Sequence, residues 1–554
     1  MYKILSVIVC LALCLGCIAG CAGKTSENTA PENSGAAKPS LGAEKTEVAL
    51  AQIAQLGESP DDNHRVWYEI FVYSFCDSDG DGIGDLNGVR SQLGYLQELG
   101  ITGIWFMPIH PSTTYHKYNV SDYYEIDPQY GTMADFEALM AECNDLGIDV
   151  ILDLVVNHTG TEHPWFKSAV EYLKTLPEGA QPNAEECPYV DYYSFSTDAT
   201  AIRAPKEVTG TDWWYEAMFS YDMPDLNLDN PAVRKEVEDV MAFWMDKGVS
   251  GFRLDAAKEF FTGNTTKNVE VLSWLQQAVT AIDPEAYLVA EVWDSFANIT
   301  KYYESGITSI FNYAFGNSDG KITAVLRGAG NESVVSTYAT ALEKADQAYL
   351  GANPQYIDAP FLSNHDVGRI AGFAQRDELK VKMAGAMNIL MSGSVFIYYG
   401  EELGMAGSGN DPSTRVAMYW NDSGEGMTRL PPDATAQEHP FGSLEAQRED
   451  DSSIYNYYRQ AIAIRKALPV ISHGRTTVET ALNTGCVSAQ RKTWGEEECV
   501  ILMNIAPEAA TVDLTAYADY HFAASLSANG DPVTMENNVL DLPAYGVAIL
   551  IPGR

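Results

Sequence analysis

From residue 64 onward, apolar, β-branched or aromatic runs of strand length recur along the chain: Val66–Phe75, Gly103–Ile109, Asp149–Val156, Gly251–Asp255, Tyr287–Val292, Ser309–Phe315, Pro360–Leu362 and Val395–Tyr399. Stretches with the 3.6-residue period of a buried-face helix alternate with them, among them Gly88–Leu99, Met133–Leu146, Pro231–Lys247, Val269–Ile282, Glu378–Met391 and Ile454–Leu468. Pro231 after Asp229-Asn230 is a helix-start signal, because a first-turn residue needs no backbone N–H. Strand–helix alternation predicts a parallel sheet. Eight such units predict a closed (β/α)8 TIM barrel. After about Val470 the helical period vanishes and short strand-like runs with turn signals continue to Ile551, which predicts an all-β C-terminal domain, a sandwich. Residues 159–222, rich in Pro, Glu, Tyr and Trp, carry no repeat and read as a domain inserted after the third strand. The expected class is therefore α/β: a barrel over 64–158 and 223–469, an insert over 159–222 and a β-sandwich over 470–554.

The N-terminus carries a different pattern. Lys3 precedes an uncharged apolar run from Ile4 to Ala22 that ends in Ile18-Ala19-Gly20-Cys21. A short basic start, an apolar stretch and small residues before a cut describe an export signal over residues 1–20. The tetrapeptide resembles a bacterial lipobox, which implies lipidation of Cys21 and an extracytoplasmic, membrane-anchored lipoprotein at the cell surface. An uncleaved anchor is the alternative, since about 19 apolar residues can just span a bilayer. Residues 21–63, rich in Ala, Ser, Glu, Lys, Gly and Pro, are expected to be a flexible tether.

Charge narrows the partners. Among 554 residues, 35 are basic and 76 acidic, a net charge of −41. Such a surface repels phosphate backbones, so nucleic acid is excluded as a partner, while neutral substrates and cations stay open. Beyond the N-terminal segment lie Cys76, Cys143, Cys187, Cys486 and Cys499, an odd number at wide spacing, which favours buried free thiols over a disulfide framework.

Barrel enzymes place their chemistry at the C-terminal ends of strands. Here the third strand ends in Asp153-Leu-Val-Val-Asn157-His158, the fourth in Arg253-Leu-Asp255-Ala-Ala-Lys258, the fifth in Glu291-Val-Trp293-Asp294, and the seventh in Asn364-His365-Asp366. Asp255 to Glu291 is 36 residues and Glu291 to Asp366 is 75, about one and two units at roughly 31 residues per unit. Three acids can therefore converge on one point.

These four segments, with Met223-Pro-Asp-Leu-Asn227 as a fifth, resemble the signature regions of the α-amylase family of retaining glycoside hydrolases, over nearly the whole chain from Val66 on. Retaining glycosidases need a nucleophilic carboxylate and a proton-donating carboxyl about 5–5.5 Å apart. Asp255 is the expected nucleophile, with Arg253 two residues earlier on the same strand face keeping it ionised. Glu291 is the expected acid/base, its pKa raised by burial beside Trp293. Asp366 is expected to bind sugar hydroxyls and stabilise the cationic transition state, and Asp153 to orient Arg253. The resemblance further implies that His158 and His365 contact the same ring, that Tyr118 stacks on it, and that Arg369 reaches the neighbouring subsite.

After the first strand, Asp77-Ser-Asp79-Gly-Asp81-Gly-Ile83-Gly-Asp85 sets acids at alternate positions with glycines between. This is the opening half of a calcium loop, with the Ile83 carbonyl as a further ligand. The bidentate Glu of an EF-hand is missing, since Gly88 stands at its position. The loop also resembles the calcium site of α-glucosidase-like family members, and a structural Ca2+ is expected, with no organic cofactor.

The resemblance implies an α-glucan oligo- or polysaccharide as substrate. Lys258 matches a residue that holds the leaving-group side in α-amylases, and Tyr115-His116-Lys117-Tyr118 resembles their stacking-tyrosine motif. Exo-acting relatives usually carry Asp where Tyr115 stands. The expected activity is thus endo-acting α-1,4-glucan hydrolysis by a monomer, with exo-glucosidase, neopullulanase-like or glucan-transferase activity as alternatives. A starch-binding protein without catalysis is the alternative of another class, and the presence of Arg253, Asp255, Glu291 and Asp366 argues against it.

Overall fold

The computed structural model describes residues 62–553 apart from residue 436. The export signal, Cys21 and nearly all of the tether lie outside the described residues. Among the described residues, no helix is long and apolar enough to cross a membrane.

The predicted barrel is present. Strands Val66–Ile70, Gly103–Phe106, Asp149–Leu154, Gly251–Leu254, Tyr287–Ala290 and Ser309–Ile310 pair in parallel in that order, and Val395–Tyr398 pairs with the first. The segment 357–362, seventh in chain order, fills the remaining place between Ser309–Ile310 and Val395–Tyr398. Asn312 donates to the Ala359 carbonyl on one side, and Ser394 and Phe396 donate to Asp358 and Pro360 on the other. Those backbone bonds close the barrel and remove its sheet edges. The strands are covered on both faces, so they read as continuous apolar runs rather than as alternations.

Two elements differ from the pattern. The first strand ends at Ile70 and Val72–Phe75 turns as a short helix, so the apolar run was strand and turn together. Gly88–Leu99 is two helices, Leu86–Ser91 and Leu93–Leu99, meeting at Gln92. Helix starts follow local chemistry: Asn230 caps Pro231–Asp246 through the Ala232 N–H, and Thr132 with Asp135 forms a capping box on Met133–Asp145.

The inserted region holds the helix Pro164–Thr175 and a small antiparallel sheet, Phe195–Ser196, Trp214–Glu216 and Pro205–Glu207. The bridge of His158 with Asp225 holds its two ends together, and the bridge of Tyr193 with Leu226 ties it to the barrel. The C-terminal part is two antiparallel sheets. The larger runs Arg475–Val478, Val487–Trp494, Glu497–Asn504, Gly546–Pro552, Tyr520–Ser527, and the smaller Ala510–Asp513, Val539–Leu542, Thr534–Glu536. The period of two is visible in Glu497–Asn504. Val500 and Leu502 belong to the sandwich's own core, while Cys499, Ile501 and Met503 join the core shared with the barrel. The five cysteines among the described residues are free thiols. Cys499 pairs with Lys492 in the hairpin register, which leaves Cys486 far along the strand.

Candidate active site

The polar exceptions in the barrel wall make the site. Asp153 and Arg253 are register partners on adjacent strands. Arg253 is wholly buried and its guanidinium is the hub. Nη1 lies 2.8 Å from both Asp153 oxygens and 2.8 Å from Asp255 Oδ1, and Nη2 donates to Glu291 Oε2 at 2.7 Å. Asp255 and Glu291, from strands four and five, thus share one cation. A second donor to Glu291 Oε2 is the Ala256 N–H at 3.0 Å. That contact is made by a non-glycine residue at φ 47, a left-handed conformation of the kind that concentrates at active sites.

The electrostatics separate the acids. Burial raises the Glu291 pKa, with Arg253 opposing and the charges of Asp255 and Asp366 adding to the rise. Burial also raises Asp255, against the pull of Arg253. Arg253 was expected to keep Asp255 ionised; it does favour the charged form, but burial outweighs it. Asp366 goes the other way. Burial works against its charge, but His365, Arg415 and Arg253 hold it well below the usual carboxylate range. His365 Nε2 sits 3.1 Å from Asp366 Oδ2, and its Nδ1 lies 2.6 Å from Glu69 Oε1. Burial disfavours the imidazolium, yet the two carboxylates raise its pKa to about 9. The Tyr118 hydroxyl closes the network, 2.7 Å from His365 Nε2 and donating to Asp153 Oδ2 at 2.9 Å.

A cavity of about 310 Å³ opens above this network, lined by Asp255, Glu291, Asp366, Tyr118 and His158 among the expected residues. His158 is neutral, burial lowering it to about 4. Its ring lies on the cavity wall beside Phe219. His365 lies beneath the cavity floor rather than on its surface. Lys258 stands outside the lining and donates to the Trp293 carbonyl at 2.9 Å.

Two further residues are placed otherwise than expected. Arg369 is buried away from the cavity, donating to the Thr414 and Tyr399 carbonyls with its guanidinium over the Tyr398 and Tyr399 rings. Trp293, expected to be part of a buried surround, is 44% exposed and stacks on Tyr313. Residues that sequence reasoning missed complete the walls. Arg415 Nη2 reaches Asp366 Oδ1 at 2.8 Å, and its Nη1 donates to the Tyr115 hydroxyl at 3.2 Å. His116 and Asp411 join it on the lining, and Phe219, Ser220 and Met223 come from the end of the insert. Two of them had a signal: His116 within the Tyr115-His116-Lys117-Tyr118 motif and Met223 as the first residue of the MPDLN motif.

In the acidic loop, the carboxylates of Asp77, Asp79 and Asp85 gather within 4.8 Å of one another. Asp77 accepts from the Gly80 and Gly82 N–H groups, both glycines having the positive φ such a tight turn requires. Asp85 also caps the helix Leu86–Ser91 through the Gly88 N–H. Asp81 is not in the group; its carboxylate accepts from the Ile83 N–H at 2.7 Å. An all-oxygen, anionic donor set fits a hard cation such as Ca2+.

Taken as chemistry, a carboxyl with a raised pKa beside a second carboxyl, opposite a fixed anion, is a device for cleaving acetals. Similarity to known proteins agrees. Residues 69–474 match the family model of the alpha-amylase catalytic domain. The chain is 38% identical over 424 residues to Alpha-amylase 3 of Dictyoglomus thermophilum, covering 74% of this chain and 79% of that protein. It is 31% identical over 537 residues to Maltase 1 of Drosophila virilis, covering 82% and 80%. The structure of Eubacterium rectale Amy13B superposes with a TM-score of 0.87 at 44% identity, covering 91% of this chain and 98% of that one. Other relatives bear the names 4-alpha-glucanotransferase and trehalose synthase/amylase. The chain belongs to the α-amylase family, and it is a glycoside hydrolase of that type.

Proposed function

We propose that this enzyme cuts internal α-1,4-glucosidic bonds of starch and maltodextrins with retention of configuration. The observation that carries the reading is the Arg253 guanidinium bonded to both Asp255 and Glu291, which holds two carboxyls together on one side of the cavity. In the first step Asp255 attacks the anomeric carbon as Glu291 donates its proton to the leaving glycosidic oxygen. The C–O bond breaks and a glycosyl ester forms on Asp255. Glu291, now the anion, takes a proton from water, whose oxygen attacks the same carbon and releases Asp255. The raised pKa of Glu291 suits the proton donor. Asp366, held as an anion, suits binding of hydroxyls on the distorted sugar and stabilisation of positive charge at the anomeric centre.

Endo action is supported by Tyr115. It lies edge-on to Phe71 and Tyr73 with its hydroxyl bonded to Arg415, so no carboxylate stands there to end the cleft behind the first sugar. Maltase and glucanotransferase relatives keep exo and transfer activity as the second reading. Proton NMR of maltoheptaose digestion in its first minutes tests the choice. Short α-anomeric maltooligosaccharides with little glucose support endo hydrolysis. Glucose as the sole early small product refutes it, and products longer than the substrate indicate transfer.

The acidic loop is read as a structural calcium site formed by Asp77, Asp79, Asp85 and the Ile83 carbonyl. The ion would brace the loop after the first strand and supply no step of the hydrolysis. At the N-terminus, a lipid on Cys21 after removal of residues 1–20 would tether a monomeric enzyme at the cell surface. Incorporation of labelled palmitate into the wild type but not into Cys21→Ser tests the anchor, and equal labelling overturns it.

A further inference from the structure

Glu69 is the one charged residue in the apolar first strand, Val66–Ile70. Side chains alternate along a strand, so it shares the barrel interior with Trp67, whose ring stacks on Tyr287 and Phe396. Barrel interiors are filled by branched apolar side chains, and a carboxylate 1% exposed among them needs a partner. The partner is His365, itself wholly buried. Its Nδ1 lies 2.6 Å from Glu69 Oε1, and its main-chain N–H donates to the same oxygen at 3.3 Å.

The other side of the ring shows how many protons it carries. Nε2 faces Asp366 Oδ2 at 3.1 Å and the Tyr118 hydroxyl at 2.7 Å. That hydroxyl directs its single hydrogen to Asp153 Oδ2, so toward His365 it can only accept. Ionised carboxylates also only accept. Both ring nitrogens thus point at acceptors and both need an N–H, which makes the ring an imidazolium. The other charged groups around it are Asp153, Asp255, Arg415, which donates to the His365 carbonyl, and Arg253, which donates to the Tyr118 hydroxyl. Trp105 packs edge-on at 5.7 Å. Burial opposes the charge on the ring, and Asp366 and Glu69 outweigh it.

We propose, resting on Asp366 as the stabilising anion of the hydrolysis, that Glu69 is a positioning residue for the reaction. It holds His365 doubly protonated beneath the cavity floor, and that fixed cation keeps Asp366 charged and aimed at the anomeric centre. Without the Glu69 carboxylate nothing holds the proton on Nδ1, the ring becomes neutral, and Asp366 keeps only its arginines.

The test is nitrogen-15 NMR of the full chain labelled at histidine, the His365 signals being assigned by their loss in His365→Gln. At about pH 7 both ring nitrogens should carry protons in the wild type, since the ring titrates at about 9. In Glu69→Gln, which keeps the size of the side chain, one of them should be bare. There kcat should fall by about 10–100-fold, as for the loss of one charge-assisted hydrogen bond. KM should change less, because the positive charge that Asp366 meets builds up only in the transition state. The acidic limb of kcat/KM should move to higher pH as Asp366 loses a neighbouring cation. A wild-type ring with one bare nitrogen puts the proton on Glu69 and overturns the proposal without recourse to a variant. A Glu69→Gln enzyme whose ring signals or acidic limb match the wild type overturns it as well, whatever its Tm. The ring signals are read without substrate, which separates Glu69 from Asp366: unaltered kcat in Asp366→Asn would remove Asp366 as the stabilising anion, and the proposal with it, while the ring signals stayed as they are.

Discussion

Arg415 and Asp366 are joined by an ion pair, Nη2 to Oδ1 at 2.8 Å, although 49 residues separate them along the chain. Arg415 also donates to the His365 carbonyl at 3.0 Å, so one side chain ties the seventh strand end to the loop that follows the last strand. The pair holds Asp366 as an anion in a buried place that by itself favours the neutral acid.

Replacing Arg415 should therefore raise the Asp366 pKa and move the acidic limb of the kcat/KM profile to higher pH. A lost charge-assisted bond of about 1.5–3 kcal/mol corresponds to a fall of roughly 10–100-fold in kcat/KM for Arg415→Ala. Arg415→Lys keeps the charge and should restore part of the loss. An acidic limb that does not move in Arg415→Ala would show that His365 alone sets Asp366.

Glu291→Gln tests the proton donor. The variant keeps the Arg253 and Ala256 contacts in outline but has no proton to give. Hydrolysis of maltoheptaose should fall on the order of 10³-fold, and the basic limb of the pH profile should flatten. An aryl maltoside, whose leaving group needs no proton, should lose much less in the first step. Equal losses on both substrates would remove Glu291 from the acid role.

The barrel and the three acids were legible because their signals are local and repeated. Asp255, Glu291 and Asp366 each end a short apolar run, and a barrel brings all strand ends to one face. Arg415 had no such signal. It lies in an irregular loop after the last strand, and what places it is a set of carbonyls and hydroxyls distant in sequence. Phe219, 51% exposed on the cavity wall, was indistinguishable in sequence from Trp213 and Tyr215, which are buried in the insert. Arg369 shows the converse: a residue three positions after a site motif can be turned inward by nearby carbonyls, here those of Thr414 and Tyr399.

Calcium should act on stability and leave the chemistry almost untouched. At a concentration 100 times Kd, an ion that binds only the folded chain adds about 2.7 kcal/mol. Chelator should thus lower the Tm, while kcat at a temperature where the protein stays folded changes little. Asp79→Ala should abolish the calcium-dependent part of the Tm. A Tm indifferent to chelator in the wild type would dismiss the loop as a calcium site.

Glu401 and Glu402, adjacent in the turn Glu401–Leu403 after the last barrel strand, predict an unusual pH dependence of stability. Glu402 is wholly buried; its Oε1 accepts from the Tyr95 and Tyr68 hydroxyls, and its Oε2 has no protein partner. Burial pushes its pKa from 4.5 up to about 7, and burial with the neighbouring Glu402 pushes Glu401 to about 8. A carboxyl raised in the folded state binds its proton more tightly there than in the unfolded chain. Its contribution to stability is complete below the unfolded pKa near 4.5 and is lost as pH rises to about 7. Glu402→Gln removes that loss, because the amide keeps an acceptor for the tyrosines and never ionises. Relative to wild type, the variant should gain on the order of 3 kcal/mol between pH 5 and pH 8.5, read by urea unfolding at both. A stability difference that stays flat across that range would mean that Glu402 is ionised in the folded protein throughout, with its charge balanced by something other than the two tyrosines.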